Sequence, residues 1–194
     1  FLLLGLLASG LVVFGKQFIH FWVGTGYEDS YYVMLLLVLP ASIALIQNLG
    51  IEIQRAQNKH QFRSLLYLGM ALVNLVLSIY LCQKYGAIGS AVGTAISLLV
   101  GNGLIMNIYY HHKCNINILA FWKNILRLSI GLLIPVAFGI IFVRFVNTYA
   151  IIGFIVGVLA YVIVYSISMW LLAMNTYEKQ LIKKPLKKVF GKHD

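Results

Sequence analysis

Polar and charged positions along this chain fall in short stretches, and between them run apolar segments long enough to cross a bilayer. The clearest case is residues 64–108. Positions 64–81 are almost unbroken by polarity except at Asn74 and Ser78; Cys82-Gln83-Lys84-Tyr85-Gly86 interrupts; and 87–108 carries no charge. A hydrocarbon core takes roughly 20 apolar residues of helix at about 1.5 Å each, so this pattern predicts two spanning helices joined by a short turn. The same pattern predicts helices at 1–14, 31–51, 125–143 and 150–174, six spans in all, with connections at 15–30, 54–63, 109–123 and 144–149 and a tail at 175–194. Pro40 falls within the second helix and Pro135 within the fifth, where a bend is expected or is absorbed by neighbouring contacts. In the fourth helix, Gly89, Gly93, Ser97 and Gly101 recur every four residues. That spacing puts them on one face, where another helix backbone can approach closely.

Composition fixes the class. The chain is 61% hydrophobic and 10% charged, with a mean hydropathy of +0.88. A soluble domain carries about 25% charged residues, so the expected fold is an all-α polytopic transmembrane bundle. The apolar run at Phe1 has no basic region before it and does not resemble a signal peptide. The chain is read as the C-terminal part of a longer protein.

The net charge of +10 would suit a nucleic acid, but its distribution points to membrane topology instead. Of the 15 Lys and Arg, 12 lie in the 54–63 and 111–127 stretches and the tail, against 3 (Lys16, Lys84, Arg144) in the alternate connections. The positive-inside rule then places the tail and the start of the first helix in the cytoplasm. The tail lysines, Lys183, Lys184, Lys187 and Lys188, are expected to rest on anionic headgroups of the lipid bilayer. Cys82 and Cys114 fall at opposite ends of the helices, too far apart for a disulfide.

Candidate chemistry gathers after the second helix. Asn48, Glu52, Arg55 and Lys59 follow at i, i+4, i+7 and i+11, and Arg63 continues the row. If the helix extends into the loop, they form one polar ridge leaving the membrane on the cytoplasmic side. Glu52 is the acid nearest a predicted span, and it either pairs with Arg55 or faces a cavity. Asn74 either lines such a cavity or bonds to the Gly/Ser face of the fourth helix. Lys16, Glu28 and Asp29 lie at the outer ends, as solvated loop charges or as contacts for departing cargo. The histidines lack metal-ligand spacing, and no Walker loop, nucleotide fingerprint or nucleophile elbow is present, so no metal, cofactor or enzymatic activity is expected.

The hairpin carries a family resemblance. Asn74-Leu75 followed by Lys84-Tyr85-Gly86-Ala87-Ile88-Gly89-Ser90-Ala91-Val92-Gly93-Thr94-Ala95-Ile96-Ser97 resembles the N-L … Y-G-x-x-G-[AS]-A-x-x-T-x-I-S pattern of bacterial polysaccharide transporters. These are oligosaccharide flippases of the multidrug/oligosaccharidyl-lipid/polysaccharide (MOP) superfamily. Phe14-Gly15, Trp22-Val23-Gly24, Tyr27, Pro40 and Arg55-Ala56-Gln57-Asn58-Lys59 extend the likeness over roughly 10–110. The resemblance implies that residues 1–110 are the last four helices of the second lobe of a two-lobe transporter. Residues 111–174 would be two additional C-terminal helices and 175–194 a basic cytoplasmic tail. It also implies alternating access across a bacterial inner membrane, a lipid-linked oligosaccharide on a polyprenyl phosphate or pyrophosphate as cargo, and polysaccharide assembly machinery as a further partner. Arg55, Lys59 or Arg63 would then attract the anionic headgroup, because guanidinium and ammonium groups are the natural partners of phosphate. A cation-coupled drug exporter of the same superfamily is the alternative, and a glycan polymerase or ligase is a third; the outer loops are too short and too poor in paired acids to favour the latter.

Overall fold

The computed structural model describes residues 1–59, 61–175 and 178–180. Among them every regular element is helical: α1 (Leu2–Val23), α2 (Asp29–Ile46), α3 (Asn48–Ala56), α4 (Gln61–Leu98), a π-helical turn (Leu99–Ile105), α5 (Met106–Lys113), α6 (Ile118–Ile130), α7 (Leu133–Phe145), α8 (Ile151–Ser168) and a second π-helical turn (Met169–Ala173). Five continuous helical segments among the described residues are long and apolar enough to cross a membrane, the longest being Gln61–Lys113. The chain is a membrane-embedded, multi-pass helical protein.

The longest segment folds back on itself. Gly86 has φ 59° and ψ −141°, a conformation that an L side chain rarely adopts. The two legs then pack antiparallel, as their contacts step away from the turn in register. Gly89 abuts the Leu81 carbonyl, Ser78 Oγ donates to Ser90 O (3.2 Å), Thr94 Oγ1 donates to Asn74 Oδ1 (3.2 Å), and Gly101 lies against Met70. A Cβ on Gly93 would sit 2.9 Å from the Ser78 backbone nitrogen. The small-residue stripe is therefore the contact face between the legs, as its spacing predicts.

α1 differs from its predicted extent. It runs to Val23 instead of ending near residue 14, and stops at Gly24, which has φ 98°. The polar residues between belong to the helix because each meets a partner. Gln17 Nε2 donates to Thr148 Oγ1 (3.1 Å), and the Lys16 ammonium lies 5.3 Å from the centre of the Tyr31 ring. α1 stands between α2 on one side and α7 and α8 on the other. Phe14 packs into a buried cluster with Tyr161, Tyr165, Met169 and Ala173, while the Tyr161 hydroxyl donates to Ser9 Oγ (2.7 Å) and the Tyr165 hydroxyl to Leu2 O (2.6 Å).

The region predicted as a connection at 109–123 and a helix at 125–143 is also redrawn. α5 continues to Lys113, α6 begins at Ile118 with Asn117 Oδ1 accepting from Ala120 N (3.0 Å), and the helix breaks at Gly131–Leu132 before resuming as α7. Pro135 explains the break: it has no N–H to offer the carbonyl four residues earlier, that of Gly131. Ser168 Oγ of α8 fills the vacancy, donating to Gly131 O at 2.7 Å. The tail lysines expected on the bilayer surface, and His60, lie outside the described residues.

Candidate functional site

The polar ridge expected after the second helix is broken twice, and the breaks build a cavity. Gln47 leaves helical geometry (φ −82°, ψ 8°) and ends α2. α3 is then a separate two-turn helix. It closes at Asn58, which has φ 54°, with Asn58 N donating to Arg55 O and Lys59 N to Gln54 O, both at 3.0 Å. This pairing is a Schellman cap with asparagine in the left-handed position. The cap reverses the chain, so Lys59 and Arg63 cannot continue the row that Glu52 and Arg55 begin. Arg63 instead returns on the first turn of α4, facing α3.

Between them lies a cavity of about 640 Å³ lined by Ile51, Gln54, Arg55, Asn58, Arg63, Ser64 and Tyr67. Gln54 is its most telling wall. The side chain is 1% exposed, yet neither its amide nitrogen nor its oxygen has a hydrogen-bond partner. Buried polar groups are nearly always paired, because an unpaired one costs about 1–3 kcal/mol. Both amide atoms are closed off from the open space of the cavity, so the group meets a ligand there only if its side chain turns. Arg63 is the cation best placed to join it. Its Nη2 donates to the Tyr67 hydroxyl (2.8 Å), its guanidinium carbon lies 4.9 Å from that ring's centre, and no carboxylate pairs with it among the described residues.

The other predicted residues divide. Arg55 lines the cavity but spends Nη1 on Glu52 Oε1 (2.9 Å), an exposed i, i+3 pair with both side chains about two-thirds accessible. Such pairs contribute little, and Arg55 can exchange Glu52 for a better anion at small cost. Lys59 turns away: Nζ donates to Lys113 O (2.6 Å) and Gln57 Oε1 (3.0 Å), tying the end of α3 to that of α5. Asn48 is exposed at the start of α3 and does not line the cavity. Asn74 belongs to the hairpin, where its Oδ1 accepts from Ser78 (2.8 Å) and Thr94 (3.2 Å).

Behind the cavity runs a chain of amides that the sequence pattern does not single out. Tyr67 donates onward to Asn102 Oδ1 (2.9 Å) in the first π-helical turn, where Asn102 is 2% exposed and its Nδ2 is unpartnered. Gln47 Nε2 donates to Asn107 Oδ1 (2.9 Å) and Asn102 O (3.3 Å), and Trp122 Nε1 also donates to Asn107 Oδ1 (3.2 Å). The available signal was that Asn102 and Asn107 are isolated amides in apolar surroundings and that Gln47, beside Asn48, closes an apolar run. π-helical turns are frequent at functional sites because they swing side chains out of α-helical register. Nearby, Cys114 is buried and its thiol is pushed up from its usual range by that burial, with Lys59 pulling weakly the other way.

This arrangement can hold an anion: a guanidinium with no carboxylate partner and a second that is loosely engaged line one space. No known protein family, curated protein or solved structure matches the chain.

Proposed function

We propose that this chain is part of a transporter that moves a lipid-linked oligosaccharide across a bacterial inner membrane, with Arg63 and Arg55 receiving the phosphate or pyrophosphate of its carrier lipid. The observation that carries this reading is Arg63, with no carboxylate partner among the described residues, beside a loosely paired Arg55 in a cavity of about 640 Å³. Arginine suits such a headgroup because its planar fork can bond two phosphate oxygens at once. With the legs on either side of Gly86 counted separately, this reading takes six spans. The basic 54–63 and 111–127 stretches meet where Lys59 bonds the Lys113 carbonyl, and on this reading the positive-inside rule makes that end, and the C-terminus, cytoplasmic. The sequence likeness of the hairpin supports a place in the second lobe of a two-lobe MOP transporter, working by alternating access and without catalysis.

The test uses the full-length gene in its own cell. Deleting it should trap lipid-linked repeat units in the inner leaflet and abolish surface glycan. Restoring it as the Arg55→Gln/Arg63→Gln double variant should leave membrane abundance unchanged and cut translocation at least about tenfold, the effect of losing one charge-assisted hydrogen bond of about 1.5 kcal/mol. An unchanged lipid-linked pool with raised drug sensitivity would transfer the assignment to drug export. Repeat units stranded singly on the outer leaflet would point to a polymerase.

A further inference from the structure

No residue of α6 is fully buried, and its surface divides lengthwise into three strips. Ile118, Phe121, Trp122, Ile125, Leu128 and Ser129 are half-buried against the protein. Ile118 packs on the buried group of Met106, Tyr110 and Cys114, Trp122 Nε1 donates to Asn107 Oδ1 (3.2 Å), and Leu128 packs on the Phe14–Tyr161 cluster. Those contacts set the rotation of the helix and leave its other two strips facing outward. At about 100° per residue, Leu119, Leu126 and Ile130 fall within about 40° of one another, and Lys123 and Arg127 follow within about the next 60°. All five are exposed. The two cations stand one turn apart on the same side, so a single anionic group can reach both.

These cations have no acid to meet nearby in the chain. The five acids are Glu28, Asp29, Glu52, Glu178 and Asp194, and none lies in the stretch 53–177. Neither Lys123 nor Arg127 pairs with a carboxylate among the described residues, and neither lines the Arg63 cavity. Arg144, in the last turn of α7, gives their depth. At about 1.5 Å of rise per residue, Arg127 and Lys123 stand at most about 26 and 32 Å from Arg144 along the helices, close to the roughly 30 Å of a hydrocarbon core. The pair therefore reaches the level of lipid phosphates, with Leu126 and Ile130 beside it at the start of the acyl chains.

An amphiphile matches this order, with an anionic head on the cations and a chain on the apolar strip. A zwitterionic head brings an ammonium for which no carboxylate is at hand; a phosphate head without one brings what both cations lack. An acidic protein would complement the cations and leave the adjoining apolar strip unmatched. We infer that α6 carries a binding site for an anionic phospholipid, its phosphate between Lys123 and Arg127 and its chain along Leu126 and Ile130. The inference needs only a chain embedded in a membrane and stands apart from the cargo assigned to Arg55 and Arg63.

The full-length protein would be placed in phosphatidylcholine nanodiscs containing rising fractions of phosphatidylglycerol with a diazirine in its chain, or of phosphatidylethanolamine labelled alike. Photolabelling of residues 126–133 reads the site directly. It should reach half its maximum at about a tenfold lower fraction of phosphatidylglycerol than of phosphatidylethanolamine. Lys123→Gln/Arg127→Gln should abolish that preference, since two surface cations together supply about tenfold or more. Lys123→Arg should keep it. Lys84→Gln/Arg144→Gln, which removes the same charge elsewhere, should leave it unchanged, with the variants compared at equal thermal midpoints. Equal labelling by the two lipids, an unaltered Lys123→Gln/Arg127→Gln variant, or the same loss in the Lys84→Gln/Arg144→Gln control would each overturn the inference. So would displacement of the lipid by polyglutamate, which would give the strip to an acidic protein, or by a tenfold smaller fraction of a polyprenyl phosphate, which would give it to the carrier lipid.

Discussion

Individual side chains decide more here than their spacing reveals. Glu52 and Arg55 were legible as a pair because three residues on a helix bring them together wherever that helix goes, and they lie 2.9 Å apart. Gln54 was not legible: its burial depends on neighbours outside its own short helix, and nothing local encodes that. Gly93 shows the opposite case, a residue whose role the stripe foretold. Gly93→Val would press a side chain onto the Ser78 backbone, which cannot yield as a flexible side chain can, and should destabilise the hairpin by about 1–3 kcal/mol in a denaturation series. Gly69→Ala, with open space around its new methyl group, should be neutral or mildly stabilising. The two thiols separate in the same way. Cys82 is exposed and Cys114 buried, and burial holds the Cys114 thiol in its protonated, unreactive form. Maleimide should therefore modify Cys82 first at neutral pH, and the Cys114 rate should climb as pH rises toward its elevated titration range. Equal rates at neutral pH would contradict the burial.

At the level of elements, the pattern of apolar runs located the helices but misplaced their ends wherever a polar residue served the interior. Lys16, Gln17 and His20 read as a loop, yet they belong to α1 because Gln17 meets Thr148 across 131 residues of chain and Lys16 meets the rings of α2. The end of α3 has a local cause that the sequence does show, an asparagine at the left-handed cap, but its weight is clear only from the two backbone bonds that close there. Pro135 was expected to bend its helix or to be absorbed by neighbouring contacts; which hydroxyl, on a different helix, would compensate it was beyond the reach of any local reading. That compensation can be measured. Ser168→Ala strips the buried Gly131 carbonyl of its donor and should cost about 0.6–1.7 kcal/mol, the range of interhelical hydrogen bonds in membranes. With Pro135→Ala already in place, the helix can supply its own N–H to that carbonyl, and the same serine change should cost less. Additive losses in the double variant would show that the two residues act independently.

Across the whole molecule, α1 stands between α2, on which α4 packs, and the α7–α8 pair, and takes its polar partners from the far end of the chain. The all-helical, membrane-embedded class was readable from composition, because a bilayer imposes it on any sequence it accepts. Which helices neighbour one another was not, since apolar faces look alike whether they meet lipid or protein. The position of α1 has a consequence for biosynthesis. Ser9 waits for Tyr161 and Gln17 for Thr148, separations of 152 and 131 residues. At a translation rate of about 5–20 residues per second, α1 spends on the order of 10–30 s in the bilayer before its partners emerge. Throughout that interval its serine and glutamine face lipid or the insertion machinery. A nascent chain stalled before α8 would present an unfinished polar seam, a natural handle for membrane quality control.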